Sequence, residues 1–174
     1  KSRIYFDPEI RELWLKWVKN VFCHVNPYTG MTLLEDPVTV AIIGYNEQEY
    51  AFEDDYDAEL VKPFFQKFLA QRYENIDALN AAWKGTEGEG NFGSFEEIPC
   101  FTLDAPRSTS VYGGDVARFI QSVETETQEF FKKTLRDLGY KGAFTNYNVG
   151  KTLHYNVAHG TSDAVQANTY HAHP

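Results

Sequence analysis

Residues 36–47 read DPVTVAIIGYNE. The pair Asp36-Pro37 is a turn opener, because proline fixes φ and has no N–H to give to a ladder. Behind it, Val38 to Ile43 run to Gly44 without alternation and are rich in β-branched residues. A short run of this kind predicts a strand over 38–43 buried on both faces, as in a parallel sheet. The strand's carboxyl end carries Tyr45, Asn46, Glu47 and Gln48.

Upstream, HVNPYTG at 24–30 breaks the chain with Pro27 and Gly30. Before it, Asp7 is placed to cap a helix that begins at Pro8. Ile10, Leu13, Trp14, Trp17, Val18, Val21 and Phe22 then fall at helical spacing. They predict one buried face, with Trp14 and Trp17 in the core. Downstream, residues 47–60 hold seven acids and no Lys or Arg. A helix is expected over 60–73, with Phe64, Phe65, Phe68 and Leu69 as its apolar stripe and Pro63 in its first turn. A shorter helix over 76–83 is capped by Asn75, and its final residue, Trp83, is expected to pack. The glycine-rich segment 85–93 is a loop, Ser94-Phe95-Glu96-Glu97 resembles a capping box on a short turn, and 99–110 is irregular. The longest helix is expected over 114–138. Its buried side carries Phe119, Ile120, Val123, Phe130, Phe131, Leu135 and Leu138, and Gly139 is its terminating residue. Short strands are expected over 143–146 and 164–169. Helix, strand, long helical excursion, strand, short excursion, strand is the order of an α/β protein with a parallel sheet. No linker interrupts it, so residues 1–174 form one domain in this reading.

The chain has 174 residues and a formal net charge of −9. That charge excludes a nucleic-acid backbone or an anionic membrane surface as the natural partner. With 43% hydrophobic and 24% charged residues the composition is globular. No run of about 18 apolar residues is present to span a bilayer. The first residues lack the apolar centre of a signal peptide; a mature chain would lack it too, so the compartment stays open, and degradation of a polysaccharide would favour an extracellular or periplasmic one. Cys23 and Cys100 are too few for a disulfide scaffold and are expected as buried free thiols. Aromatic residues make up 16% of the chain. They fill cores, and they also offer flat faces that stack on sugar rings.

In parallel α/β folds ligands gather at the carboxyl ends of strands. Those ends read Tyr45-Asn46-Glu47, Asn146-Tyr147-Asn148 and Tyr170-His171. A carboxyl group, amides and aromatic rings suit a neutral polyhydroxylated substrate. A phosphate would call for glycine-rich loops with Lys or Arg. His171 and His173 alternate on a strand and point to opposite faces. His154 and His159 lie in the irregular stretch before it, and no zinc spacing is present.

The stretch HVNPYTGMTLLEDPVTVAIIGYNEQ (24–48) resembles the segment leading into the fourth strand of clan A retaining glycoside hydrolases. These are the (β/α)8 TIM-barrel enzymes that include cellulases, mannanases and β-galactosidases. FLAQRYENIDALNAAWKG (68–85) resembles the helix pair that follows. LRDLGYKGAFTNYN (135–148) is similar to the helix into strand five, and SDAVQANTYHAHP (162–174) to strand six. The resemblance implies a part of a parallel barrel, about strands four to six with their helices. It implies that Glu47 is the general acid/base, with Asn46 holding the sugar 2-hydroxyl. Tyr170 and His171 line the site, and Asn146 and Asn148 are subsite candidates; Tyr45, Tyr147 and Tyr170 are stacking candidates because each sits at a strand's carboxyl end. It implies a carbohydrate substrate, no cofactor and no metal. The family's nucleophile is a second Glu at the end of strand seven. Retaining hydrolysis needs both carboxyl groups, about 5–5.5 Å apart, so remaining barrel segments or a partner chain are expected to complete the fold. Burial in the barrel mouth would raise the pKa of Glu47, as a general acid requires. Glu49, Asp54 and Asp55 either add to that rise or form a solvated loop. Two rival readings are a non-catalytic carbohydrate-binding or scaffold protein on the same fold and a metal-dependent hydrolase barrel that uses the histidines.

Overall fold

A computed structural model describes residues 3–44, 57–102, 104–146 and 159–165. The chain forms two compact units, Lys1–Phe6 with Tyr50–Ser122, and Asp7–Glu49 with Val123–Pro174. Each has its own core.

The first unit begins with the short helix α1, Arg3–Phe6. Its main helices are α3, Ala58–Arg72, and α4, Ile76–Trp83. Asp57 accepts from the Leu60 N–H at 3.1 Å and starts α3 two residues before the expected position. That leaves Pro63 inside the helix rather than in its first turn. Asn75 accepts from the Ala78 N–H at 2.9 Å and caps α4 as expected. Segment 94–97 does form a helical turn, but not a capping box. The Ser94 side chain makes no cap bond, and the Glu97 carboxylate instead accepts from the Gly93 N–H at 2.7 Å. The core is largely aromatic and centres on Phe119. Its ring lies 5.2 Å from Phe65, 5.6 Å from Phe68 and 5.7 Å from Phe101. Trp83 packs edge-on against Tyr112 at 4.9 Å and is buried. Much of the chain's aromatic content is thus core, the plainer of its two explanations.

The longest helix, α5, runs over Val111–Asp137. Residues 111–122 belong to the first unit and 123–137 to the second. It starts three residues before its expected beginning. Gly139 follows it with φ of +96°, a left-handed conformation that costs glycine least.

The second unit holds α2, Pro8–Phe22, with Asp7 as its cap. The strands β1, Ala41–Ile43, and β2, Ala143–Thr145, are parallel in the register Ala41 to Ala143, Ile42 to Phe144 and Ile43 to Thr145. First, the strand expected over 38–43 is limited to 41–43. The Asp36 side chain accepts from the Val38 N–H at 3.0 Å, and the Asp36 carbonyl accepts from Thr39. These local turn bonds take the Val38 and Thr39 N–H groups, so that only the Val40 carbonyl of this stretch reaches β2, where it accepts from Ala143. Second, β1 is not buried on both faces. Only Ile42 is buried, while Val38 is 79% and Val40 73% exposed. A strand is buried twice only when a layer covers each face, and the described residues cover one. Third, Trp14 packs against Phe131 at 4.4 Å, but Leu13 (58%) and Trp17 (54%) are exposed, and Val18 is the buried residue of α2. Cys23 is also exposed and Cys100 half-buried, so neither is a buried thiol. Ala164 and Val165 do not extend a strand, and 166–169 lie outside the described residues. No helix among the described residues is long and apolar enough to cross a membrane.

Candidate functional site at the carboxyl ends of the parallel strands

The two strands run parallel, so their carboxyl ends lie at the same edge of the sheet. The last bond of that edge is Gly44 N–H to the Thr145 carbonyl, 2.9 Å. Gly44 is required there for space. A Cβ on it would stand 2.8 Å from the Phe144 ring. From this edge the chain continues on one side into Tyr45, Asn46 and Glu47, and on the other into Asn146, Tyr147 and Asn148.

Asn146 is the one expected site residue within the described residues, and it is almost fully buried. Tyr45, Asn46, Glu47, Tyr147, Asn148, Tyr170 and His171 lie outside them. What the structure brings together is therefore the pair of chain positions, Gly44 and Asn146, from which two of the three expected site segments depart.

Sequence reasoning missed Asp163. Alternate residues of a strand turn their backbone groups to opposite edges. Ala143 donates to the Val40 carbonyl at 2.9 Å and Thr145 accepts from Gly44, so both face the β1 side. Phe144 faces the other way. Its N–H donates to Asp163 Oδ2 at 2.9 Å, and its carbonyl accepts from the Asp163 N–H at 2.8 Å. Asp163 therefore occupies the β2 edge away from β1, the edge on which a third parallel strand belongs. Its carboxylate also meets Lys132 Nζ at 2.6 Å and Arg136 Nη2 at 2.5 Å. Burial alone would raise the Asp163 pKa. The hydrogen bonds from Lys132 and from the Phe144 N–H, with the charges of Lys132 and Arg136, outweigh it and hold the group below its ordinary value. The available signal was the spacing of Gln128, Lys132 and Arg136, three polar residues on successive turns of one helix face.

Arg136 also donates from Nη1 to the carbonyls of Tyr140, at 2.9 Å, and Gly142, at 2.8 Å, which shapes the turn into β2. The Tyr140 hydroxyl lies 3.2 Å from both the Thr39 and the Ala143 carbonyls and ties that turn to the approach to β1. Desolvation is the largest influence on this phenol and pushes its pKa up. A shallow cavity of about 280 Å³, lined in part by His24, Asn26, Thr32 and Asp36, lies at the loop before β1. Its polar groups serve local turns. Asn26 Oδ1 accepts from Tyr28, and Asp36 Oδ1 from Val38. It lies on the loop that enters β1, away from the strand's carboxyl end. Among the described residues no three His, Cys, Asp or Glu gather as they would around a metal ion.

No curated protein and no solved structure matches the chain significantly. A family model described as beta-galactosidase, of glycoside hydrolase family 42, matches residues 35–173. That span takes in both strands, the helices between them and every expected site residue. The chain belongs to this β-galactosidase family of clan A glycoside hydrolases.

Proposed function

We propose that the chain is the strand-four-to-six segment of a (β/α)8 barrel and carries the acid/base side of a retaining β-galactosidase. Glu47 is the general acid that protonates the leaving glycosidic oxygen and then the base that activates water. Asn46 holds the sugar 2-hydroxyl. Tyr45 and Tyr147 offer faces to the sugar, and Asn146, Asn148, Tyr170 and His171 line the remaining subsites. The second carboxylate, the nucleophile, comes from strand seven in the remaining barrel segments or in a partner chain.

One observation carries the reading. Two short strands pair in parallel and end side by side at Gly44 and Asn146, inside a segment that matches the family over 35–173. A parallel pair separated by a long helical excursion is the repeating unit of the barrel, and barrel enzymes place their chemistry at this end. The Asp163 contact on the far edge of β2 supports strand order following chain order.

The deciding experiment compares aryl β-galactosides of poor and good leaving groups on Glu47→Gln. A general acid contributes about 10²–10⁴-fold. The glycosylation step should fall by that order for the poor leaving group and by much less for the activated one. Equal loss on both would remove Glu47 from the acid role. Binding of galactose without turnover of any galactoside, in the complete barrel, would favour the binding-protein reading.

A further inference from the structure

We propose that Asp163 is a positioning residue: clamped by Lys132 and Arg136 of α5, it holds both backbone groups of Phe144 and so fixes where Asn146 stands for the sugar. The inference rests on the reading of Asn146 as a substrate-binding residue.

The clamp is built on one face of one helix. Gln128, Lys132 and Arg136 lie four residues apart and so stack on successive turns. Gln128 Oε1 accepts from Thr161 Oγ1 at 2.9 Å and from Ser162 Oγ at 3.0 Å. Lys132 Nζ donates to the Thr161 carbonyl at 3.1 Å and pairs with Asp163 Oδ1 at 2.6 Å. Arg136 Nη2 pairs with Asp163 Oδ2 at 2.5 Å. Three consecutive residues, Thr161, Ser162 and Asp163, are thus fastened to three turns of α5. All three charged side chains of the clamp are about two-thirds buried, at 30–34% exposure. Such partly desolvated, multiply bonded pairs are stiffer than open surface pairs.

From α5 the constraint passes to β2. Asp163 meets Phe144 with its own N–H on the Phe144 carbonyl and its carboxylate on the Phe144 N–H. Those two bonds fix the backbone of Phe144 along the strand and across it. Thr145 is held on the opposite side by Gly44. Asn146 is therefore the first residue beyond a stretch gripped from both edges, and its own burial leaves it little freedom. Loss of the Asp163 carboxylate frees one edge of that grip. A misplacement of about 1 Å at a substrate-orienting group can cost on the order of 10²-fold in rate.

The test is a double-mutant cycle in the full chain assembled with the complete barrel. It measures kcat and KM on an aryl β-galactoside, together with amide hydrogen exchange. Asp163→Ala should lower kcat/KM about 10- to 100-fold. The double variant Asp163→Ala/Asn146→Ala should be no worse than Asn146→Ala alone, because a residue that acts through Asn146 has nothing left to position. Asp163→Asn, which keeps an acceptor for the Phe144 N–H but loses both ion pairs, should recover part of the loss. Multiplying losses in the double variant would overturn the proposal. Should Asp163→Ala fail to fold, Asp163→Asn carries the same cycle. Exchange separates this inference from the function it rests on. If the wild type hydrolyses no glycoside, the proposed function falls. The positioning claim then stands or falls on whether the Phe144 amide exchanges at least tenfold faster in Asp163→Ala, with the Val116 amide unchanged. An unchanged Phe144 amide overturns it whatever the activity.

Discussion

Asp115 gathers three hydrogen-bond donors and a further positive charge around one fully buried carboxylate. Arg72 Nε donates to Oδ1 at 2.6 Å, while the Tyr73 hydroxyl at 2.5 Å and Trp83 Nε1 at 2.9 Å share Oδ2. Arg118 adds its charge from 3.7 Å. The spacing of apolar residues could not announce this group, because Asp115 reads as one more polar residue near a helix start. A buried charge survives only when paired and hydrogen-bonded. Removing the carboxylate strands the Trp83 N–H and the Tyr73 hydroxyl together, so Asp115→Ala should destabilise by about 3 kcal/mol or more in denaturant titrations. The same cluster predicts an alkaline weakness. Desolvation, then the hydrogen bond to Asp115, pushes the Tyr73 phenol up to about 12. In the unfolded chain it ionises near its ordinary value of about 10. Between those values the folded state holds a proton that the unfolded state has released. The contribution is complete below about pH 10 and disappears as pH rises toward 12. Melting temperature measured from pH 9 to 12 should fall less steeply for Tyr73→Phe than for the wild type. Parallel curves would show that this phenol ionises alike in the folded and unfolded states, and that Asp115 and burial do not hold its proton. Asp163 has the opposite sign. Its depressed pKa gives stability present above the ordinary carboxylate range and lost as pH falls through the lowered value.

Elements were legible where a local rule decides them and illegible where tertiary partners do. Asp7, Pro8, Asn75 and Gly139 mark helix ends by side-chain or backbone chemistry that needs no neighbour, and α2 and α4 stand where those residues put them. The strand over 38–43 was misjudged because its composition says only that it tolerates burial. Whether Val38 and Val40 are buried depends on layers that no local pattern encodes, and the turn at Asp36 had already claimed the N–H groups of Val38 and Thr39. The parallel pairing followed from the long excursion between two short apolar runs. The Asp163 contact did not, since it joins residues far apart through one carboxylate. Of the candidate site, the positions at the two strand ends were legible, whereas the contacts of Asp163 on the far edge of β2 were not. The turn into β2 also carries a test at this scale. A Cβ on Gly142 would stand 2.3 Å from the Tyr140 hydroxyl and 2.9 Å from the Thr39 carbonyl. Gly142→Ala must push the phenol from the two carbonyls it serves, so it should cost about 1–3 kcal/mol of stability. Adding Tyr140→Phe removes the hydroxyl and leaves the ring carbon Cζ, which would stand 2.6 Å from the Cβ, and the pair should lose less than the sum of the single changes because the ring is then free of its two carbonyls. Strict additivity in denaturant titrations would show that the phenol does not set the glycine requirement.

At the scale of the whole molecule the informative quantity is apolar surface without a cover. In the second unit Leu13, Trp17 and Val21 of α2 are exposed together with Val25, Leu33, Val38 and Val40. The helix shows the spacing of a buried face, yet Val18 is its buried residue. Scattered exposed apolar residues are ordinary, but a helical stripe running into an exposed strand approach marks surface that associates. In a barrel, the neighbouring strands and helices cover such surface, in line with the proposed completion by further barrel segments or a partner chain. Two settings then give opposite outcomes for one variant, Leu13→Lys with Trp17→Lys. On residues 1–174 alone these positions meet water. The variant should reduce self-association in sedimentation velocity, with the melting temperature nearly unchanged. In the barrel proposed above they would meet apolar neighbours. Each large side chain removed then forgoes about 1.5–3 kcal/mol of burial, and the introduced charges add desolvation. That protein should lose several degrees of melting temperature and much of its glycosidase activity together. Equal tolerance in both settings would mean that α2 faces solvent in the finished molecule, and the stripe would then have no place in a barrel wall.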